Sequence, residues 1–182
     1  MTLKFWNLLT LRQCWSLMCL ACVGLLGFGL YLQHVVGLEP CPMCIVQRYA
    51  MTLIGVLSVL GVWVRRHRVQ QGLLVLGVLM AGFGGFVAAR QSWLQWYPPN
   101  IVSCGRDFYG MIEAFPLQRA VPLIFRGSGD CAAIDWTFLG GSIANWSFVA
   151  FVAMAIWLLA VMWQKLASGS RAANDPSFEP LK

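Results

Sequence analysis

The chain has 182 residues, of which 59% are hydrophobic and only 11% are charged, against about 25% charged in a soluble domain; a water-soluble globular class is excluded. The formal net charge of +6 does not point to nucleic acid. Its basic residues form no stripe interleaved with polar ones and sit in segments that flank apolar runs.

In chain order, four apolar runs approach the roughly 20 residues that a helix needs to cross a hydrocarbon core. They cover about 15–32, 45–64, 72–89 and 143–163. A strand barrel would instead show alternating segments of about 10 residues. The expected fold class is all-α, a four-helix transmembrane bundle, with 1–182 as a single integral membrane domain and no internal repeat. A basic start followed by an apolar run containing "CLAC" has the outline of a signal peptide. Apolar sequence continues past Cys22 to Leu32, however, and three more spans follow, so an uncleaved first helix is the simpler expectation.

Orientation is read from the loops, because cytoplasmic loops retain Lys and Arg. Lys4 and Arg12 precede the first run, Arg65, Arg66 and Arg68 separate the second from the third, and Lys165, Arg171 and Lys182 follow the fourth. Both termini are therefore expected in the cytoplasm. The connection 33–43 carries only Glu39, and in 90–142 four arginines are balanced by Asp107, Glu113, Asp130 and Asp135. These two connections are expected to face outward, into the periplasm of a Gram-negative bacterium. The polar tail 168–182 is expected to be disordered.

This topology sorts the seven cysteines. Cys14, Cys19 and Cys22 fall in the cytoplasmic half of the first helix, where free cysteine acts as a small buried hydrophobe. Cys41, Cys44, Cys104 and Cys131 fall in or beside the outward connections, in an oxidising compartment where pairs form disulfides. A bridge between Cys104 and Cys131 would restrict the unfolded loop by roughly 3–4 kcal/mol, which reads as a structural staple. Cys41 and Cys44 enclose a loop too small to stabilise much, and a CxxC is the spacing of dithiols that exchange disulfides readily. A four-thiolate zinc site is the other outcome for two pairs. The long spacer of the second pair and the oxidising compartment argue against it, and no metal is expected.

Arg48 stands four residues after Cys44, on the same face of a helix that starts near Met43. The helix dipole, the N–H groups of the first turn and the guanidinium all favour a Cys44 thiolate, while desolvation opposes it. An interfacial anchor with its head among the lipid phosphates is the alternative for Arg48. A redox dithiol at a membrane surface must pass on its two electrons, and the acceptor at that depth is a lipid-soluble quinone. An arginine can donate to a quinone carbonyl and stabilise the charge that grows there.

At this point the chain resembles the DsbB disulfide-bond formation proteins of the bacterial inner membrane. The resemblance rests on "YLQHVVGLEPCPMCIVQRYA" (31–50), "WLQWYPPNIVSCG" (93–105), "GSGDCA" (127–132) and "WTFLG" (136–140), and covers nearly the whole chain. It implies a membrane enzyme, a quinone-dependent protein-dithiol oxidoreductase. A reduced DsbA-like partner of thioredoxin fold attacks the Cys104–Cys131 disulfide and forms a mixed disulfide at Cys104. Electrons pass by exchange to the Cys41–Cys44 pair, and Cys44, beside Arg48, delivers them to ubiquinone, or to menaquinone, through an adduct or charge-transfer contact. The pair 104 and 131 would then be mobile rather than a staple. Residues 108–125 are apolar enough to lie on the bilayer surface.

Gln33 and His34 at the end of the first helix, and Arg90 and Gln91 at the outward end of the third, are further candidates for the quinone pocket. Some family members have a histidine near position 91, and its absence here leaves the proton donor open. His67 in the basic turn reads as solvated. The alternatives are a four-helix enzyme running electrons the other way, which would carry its CxxC later in the bundle, and a non-catalytic membrane scaffold with structural disulfides or a four-cysteine metal site.

Overall fold

The computed structural model describes residues 10–98, 134 and 136–173. It contains four long helices, α1 (Leu11–His34), α2 (Pro42–Trp63), α3 (His67–Trp96) and α4 (Ile143–Ala173), with a small hairpin of β1 (Thr137–Phe138) and β2 (Gly141–Ser142) before α4. All four are long and apolar enough to cross a membrane. The chain is a multi-pass, four-helix transmembrane bundle, as the apolar runs predict. Side chains such as Leu20, Val23, Leu79, Phe86 and Ile156 stand exposed on its perimeter, an apolar surface that suits lipid and not water.

The helices outrun the apolar segments that announce them, because their ends are set by caps rather than by hydropathy. At α1, the Thr10 hydroxyl accepts from the Gln13 N–H, and the Gln13 side chain accepts from the Thr10 N–H at 2.8 Å, a reciprocal capping box. At α2, Cys41 is the N-cap and Pro42 takes the first helical position, where its missing N–H costs nothing. The third helix continues seven residues into the segment expected as an outward loop, from Arg90 through Trp96. Gln91 is therefore a helical residue. Residues 168–173, expected within a disordered tail, continue α4.

Chain neighbours pack side by side, α1 on α2, α2 on α3 and α3 on α4, whereas α1 and α4 barely touch. The bundle is thus open along one seam. Its core is close-packed elsewhere: Trp15, Cys22, Ile54, Leu74, Phe151 and Leu158 are almost wholly buried. Cys14 and Cys22 belong to this core and Cys19 is half-buried beside it, the small-hydrophobe role expected of them. Where the largest rings lie, the facing helix carries glycine. A Cβ on Gly61 would collide with the Trp15 indole, and one on Gly84 with the Phe151 ring.

One buried amide ties the end of the bundle where α1 and α3 begin. Gln70 accepts from the Trp15 indole N–H at 2.7 Å and donates to the carbonyls of Gly61 at 2.7 Å and Val64 at 2.5 Å. The last turn of α2, whose carbonyls lack intrahelical donors, is satisfied by a side chain of α3. At the other end, Leu139 (φ 50°) and Gly140 (φ 79°) form the two-residue hairpin turn, the doubly left-handed geometry that matches strand twist.

Packing makes the glycines of α3 unequal. Gly84→Ala forces the buried Phe151 to move and should destabilise the protein by about 1–3 kcal/mol. Gly82→Ala meets nothing within 4 Å and should be neutral or mildly stabilising. Thermal unfolding of the two variants in detergent checks the contrast; equal midpoints would mean that Gly84 is not packed as described.

Candidate functional site

The two cysteines of the CxxC sit where α2 begins, and the local fold explains why they meet. Cys41 is the N-cap, so its backbone is still extended while its side chain folds back over the first turn. Its Sγ accepts from the Cys44 N–H at 3.4 Å. That arrangement leaves the Cys41 and Cys44 sulfurs 2.9 Å apart. Cys41 is buried and Cys44 half-buried.

A buried amide pair lies beneath the sulfurs. Gln91, on α3, donates from Nε2 to the Sγ atoms of both Cys41 and Cys44 at 3.3 Å. Its carbonyl Oε1 accepts from Gln47 Nε2 at 2.7 Å. Both glutamines are at least 95% buried, so each holds the other's amide in place. An N–H aimed at sulfur is worth most when the sulfur is ionised, since charge-assisted hydrogen bonds are roughly twice as strong as neutral ones.

Arg48 projects one turn further along α2. Its guanidinium donates to the Gly29 carbonyl at 2.9 Å and to the Gln33 Oε1. Both acceptors belong to α1, so the arginine bridges α1 and α2. Among the described residues these two bonds use two of its five N–H donors, and the group also borders a cavity of about 670 Å³.

That cavity occupies the α1/α4 seam. Leu25, Phe28 and Met51 contribute to apolar walls, and Cys44, Arg48 and Gln91 to a polar edge. Trp136 and Phe138 of the hairpin region close one side. Trp136 meets Phe28 edge-on with centroids 6.0 Å apart, and the Trp146 indole N–H donates to the Phe138 carbonyl at 2.9 Å. Gln95 also lines the cavity, its Oε1 accepting from the Ser142 hydroxyl at 2.5 Å, while Ser142 Oγ accepts from the Asn145 N–H at the start of α4. The volume lies within the range of about 300–1,000 Å³ typical of small-molecule sites.

Of the residues singled out from the sequence, Cys41, Cys44 and Gln91 form one hydrogen-bonded group and Arg48 with Gln33 another, and the two meet at the cavity that Cys41, Cys44, Arg48 and Gln91 line. Gln33 acts through Arg48, and Gln91 sits under the sulfurs. His34 is exposed at the last position of α1, and Arg90 is half-buried; neither borders the cavity. Cys104 and Cys131 lie outside the described residues. Gln47 and Gln95 were missed. A signal for Gln47 existed: it follows Cys44 by three positions, hence shares its face, and a polar residue inside an apolar span marks a functional site by default.

The amide pair yields a double-mutant test. Gln91→Leu strands the buried Gln47 amide, at a cost of about 1–3 kcal/mol. Gln47→Leu should cost a similar amount, and the double variant much less than the two together, a coupling that thermal unfolding in detergent would measure. Additive losses would show that the two amides do not depend on each other.

Comparison with known proteins adds sequence relationships to this geometry. The family profile described as "Disulfide bond formation protein DsbB" matches residues 11–161. The chain is 65% identical over 151 residues to the disulfide bond formation protein B of Paracidovorax citrulli, covering 83% of this chain and 86% of that one. It is 62% identical over 168 residues to the protein of the same description from an Acidovorax strain, covering 90% and 92%. To that of Verminephrobacter eiseniae it is 59% identical over 180 residues, covering 97% and 98%.

Proposed function

The chain belongs to the DsbB family of disulfide bond formation proteins, and from that premise we propose that it reoxidises a DsbA-like periplasmic dithiol oxidase and passes the electrons to a membrane quinone, ubiquinone or menaquinone. A disulfide-forming role follows from the family; the partner, the acceptor and the residues that serve them are the proposal. The observation that carries it is the opening of a vicinal cysteine pair onto a largely apolar cavity edged by a guanidinium.

The reaction balances as follows. The partner's two thiols become a disulfide, and the quinone takes up two electrons and two protons to become a quinol. Cys104 and Cys131 accept the electrons first, through a mixed disulfide at Cys104. Exchange then reduces the Cys41–Cys44 disulfide, each exchange being thiolate attack on sulfur. Cys44, the less buried of that pair, faces the acceptor. The Gln91 N–H groups favour the thiolate released there, and Arg48 has N–H donors left for a carbonyl oxygen at the cavity edge. In this reading the membrane is the bacterial inner membrane, the CxxC end of the bundle faces the periplasm and both termini face the cytoplasm.

Two measurements test the proposal. Arg48→Ala removes a charge-assisted donor worth about 1.5–3 kcal/mol, so kcat/KM for quinone should fall roughly 10- to 100-fold in a protein that still folds; unchanged quinone reduction would defeat the role given to Arg48. On non-reducing gels, Cys41→Ser should accumulate a mixed disulfide between Cys104 and the reduced partner, and Cys131→Ser one formed by the free Cys104 thiol with the partner's own disulfide. A non-catalytic scaffold would form none and keep its outward cysteines oxidised.

A further inference from the structure

A second cavity, of about 290 Å³, lies at the opposite end of the bundle, where α1 and α3 begin and α2 ends. Arg12, Arg65, His67 and Lys165 line it, drawn from α1, the α2–α3 turn, α3 and α4. No carboxylate lines it, and Glu39, the only acidic side chain among the described residues, lies at the far end of α2.

Two further observations add to this excess of positive charge. Lys165 is half-buried and has no hydrogen-bond or ion-pair partner among the described residues, so its ammonium is free to meet an anion at the cavity. The helices α1 and α3 both start at this cavity with no acidic residue in the first turn, and α3 has no side-chain cap at Arg66. The positive ends of two helix dipoles, against the negative end of one at α2, therefore meet at a pocket that is already cationic, which favours an anion such as phosphate.

The depth of the pocket indicates which phosphate. Trp63 ends α2, one residue before Val64 of the cavity lining, and Trp163 precedes Lys165 by two positions. They are 81% and 76% exposed. Exposed tryptophans at the ends of spanning helices mark the headgroup level of a bilayer. We propose that this basic cavity binds the phosphodiester headgroup of an anionic phospholipid, with the phosphate between Arg12, Arg65 and Lys165 and the acyl chains running down the outside of the bundle.

The test is native mass spectrometry of the full-length protein released from mixed micelles of phosphatidylglycerol and chain-matched phosphatidylcholine. The wild type should retain phosphatidylglycerol preferentially. Arg12→Gln with Lys165→Gln should reduce that retention roughly tenfold or more, since each basic residue near an anionic surface contributes on the order of 1 kcal/mol. The charge-keeping pair Arg12→Lys with Lys165→Arg should restore it. Arg66→Gln with Arg68→Gln removes the same charge from residues outside the cavity lining and should leave retention intact, with thermal unfolding confirming that all variants are folded. Equal retention of the two lipids, or equal loss in both glutamine pairs, would overturn the site. Displacement of phosphatidylglycerol by excess inorganic phosphate would overturn the lipid assignment in favour of a free anion.

Discussion

A polar atom inside a hydrocarbon slab has no water to turn to, so its partner must be another part of the protein. This constraint organises the bundle. The third helix carries two buried glutamines, Gln70 and Gln91, 21 positions apart, about 31 Å along a helix and close to the roughly 30 Å thickness of a bilayer core. Gln70 joins α3 to Trp15 of α1 and to the last carbonyls of α2. Gln91 joins it to Gln47 and the sulfurs at the start of α2. The antiparallel pair α2/α3 is pinned at both ends, and the glycines that receive Trp15 and Phe151 let α1 approach α2 and α4 approach α3 closely.

The same rule places the CxxC sulfurs. A helix beginning at the membrane edge exposes first-turn N–H groups that need acceptors, and at α2 one of them is satisfied by Cys41 itself. Cap and sulfur pair share an atom. Because an N-cap folds its side chain over the first turn, it brings Cys41 onto Cys44 without a special loop, and Pro42 between them holds the entry angle. Arg48, tied to Gly29 and Gln33, then fixes α1 against this end of α2, which sets a wall of the large cavity one turn from the sulfur pair.

Four apolar runs were enough to read the architecture, and the CxxC with an arginine one turn later marked the end that carries the sulfur pair and the larger cavity. What hydropathy concealed was the extent of the helices: Arg90 to Trp96 is too polar and aromatic to count as span, yet it continues α3 and carries Gln91 under the sulfurs. Gln47 shares a face with Cys44 but reads as a single interruption in an apolar run, and its partner, Gln91, stands 44 positions away on another helix. Gln95 and Ser142 escaped for the same reason, since their contact joins the end of α3 to the start of α4. The cavity had no local signature, because it is the space left between two helices that do not pack. Gln33 and His34, both near the CxxC at the end of α1, part company in the fold: successive helical residues point about 100° apart, so Gln33 meets Arg48 while His34 is exposed.

The seam between α1 and α4 has a consequence for selectivity. A molecule with a compact polar head and a long hydrocarbon tail can present its head to the polar edge near Cys44 and Arg48 while its tail stays among the lipid chains, because no tight helix pairing closes that side. In the proposed quinone reaction, the head would be held closely and the tail left largely to the lipid, so that discrimination would fall on ring size and carbonyl placement rather than on the length of the isoprenoid chain.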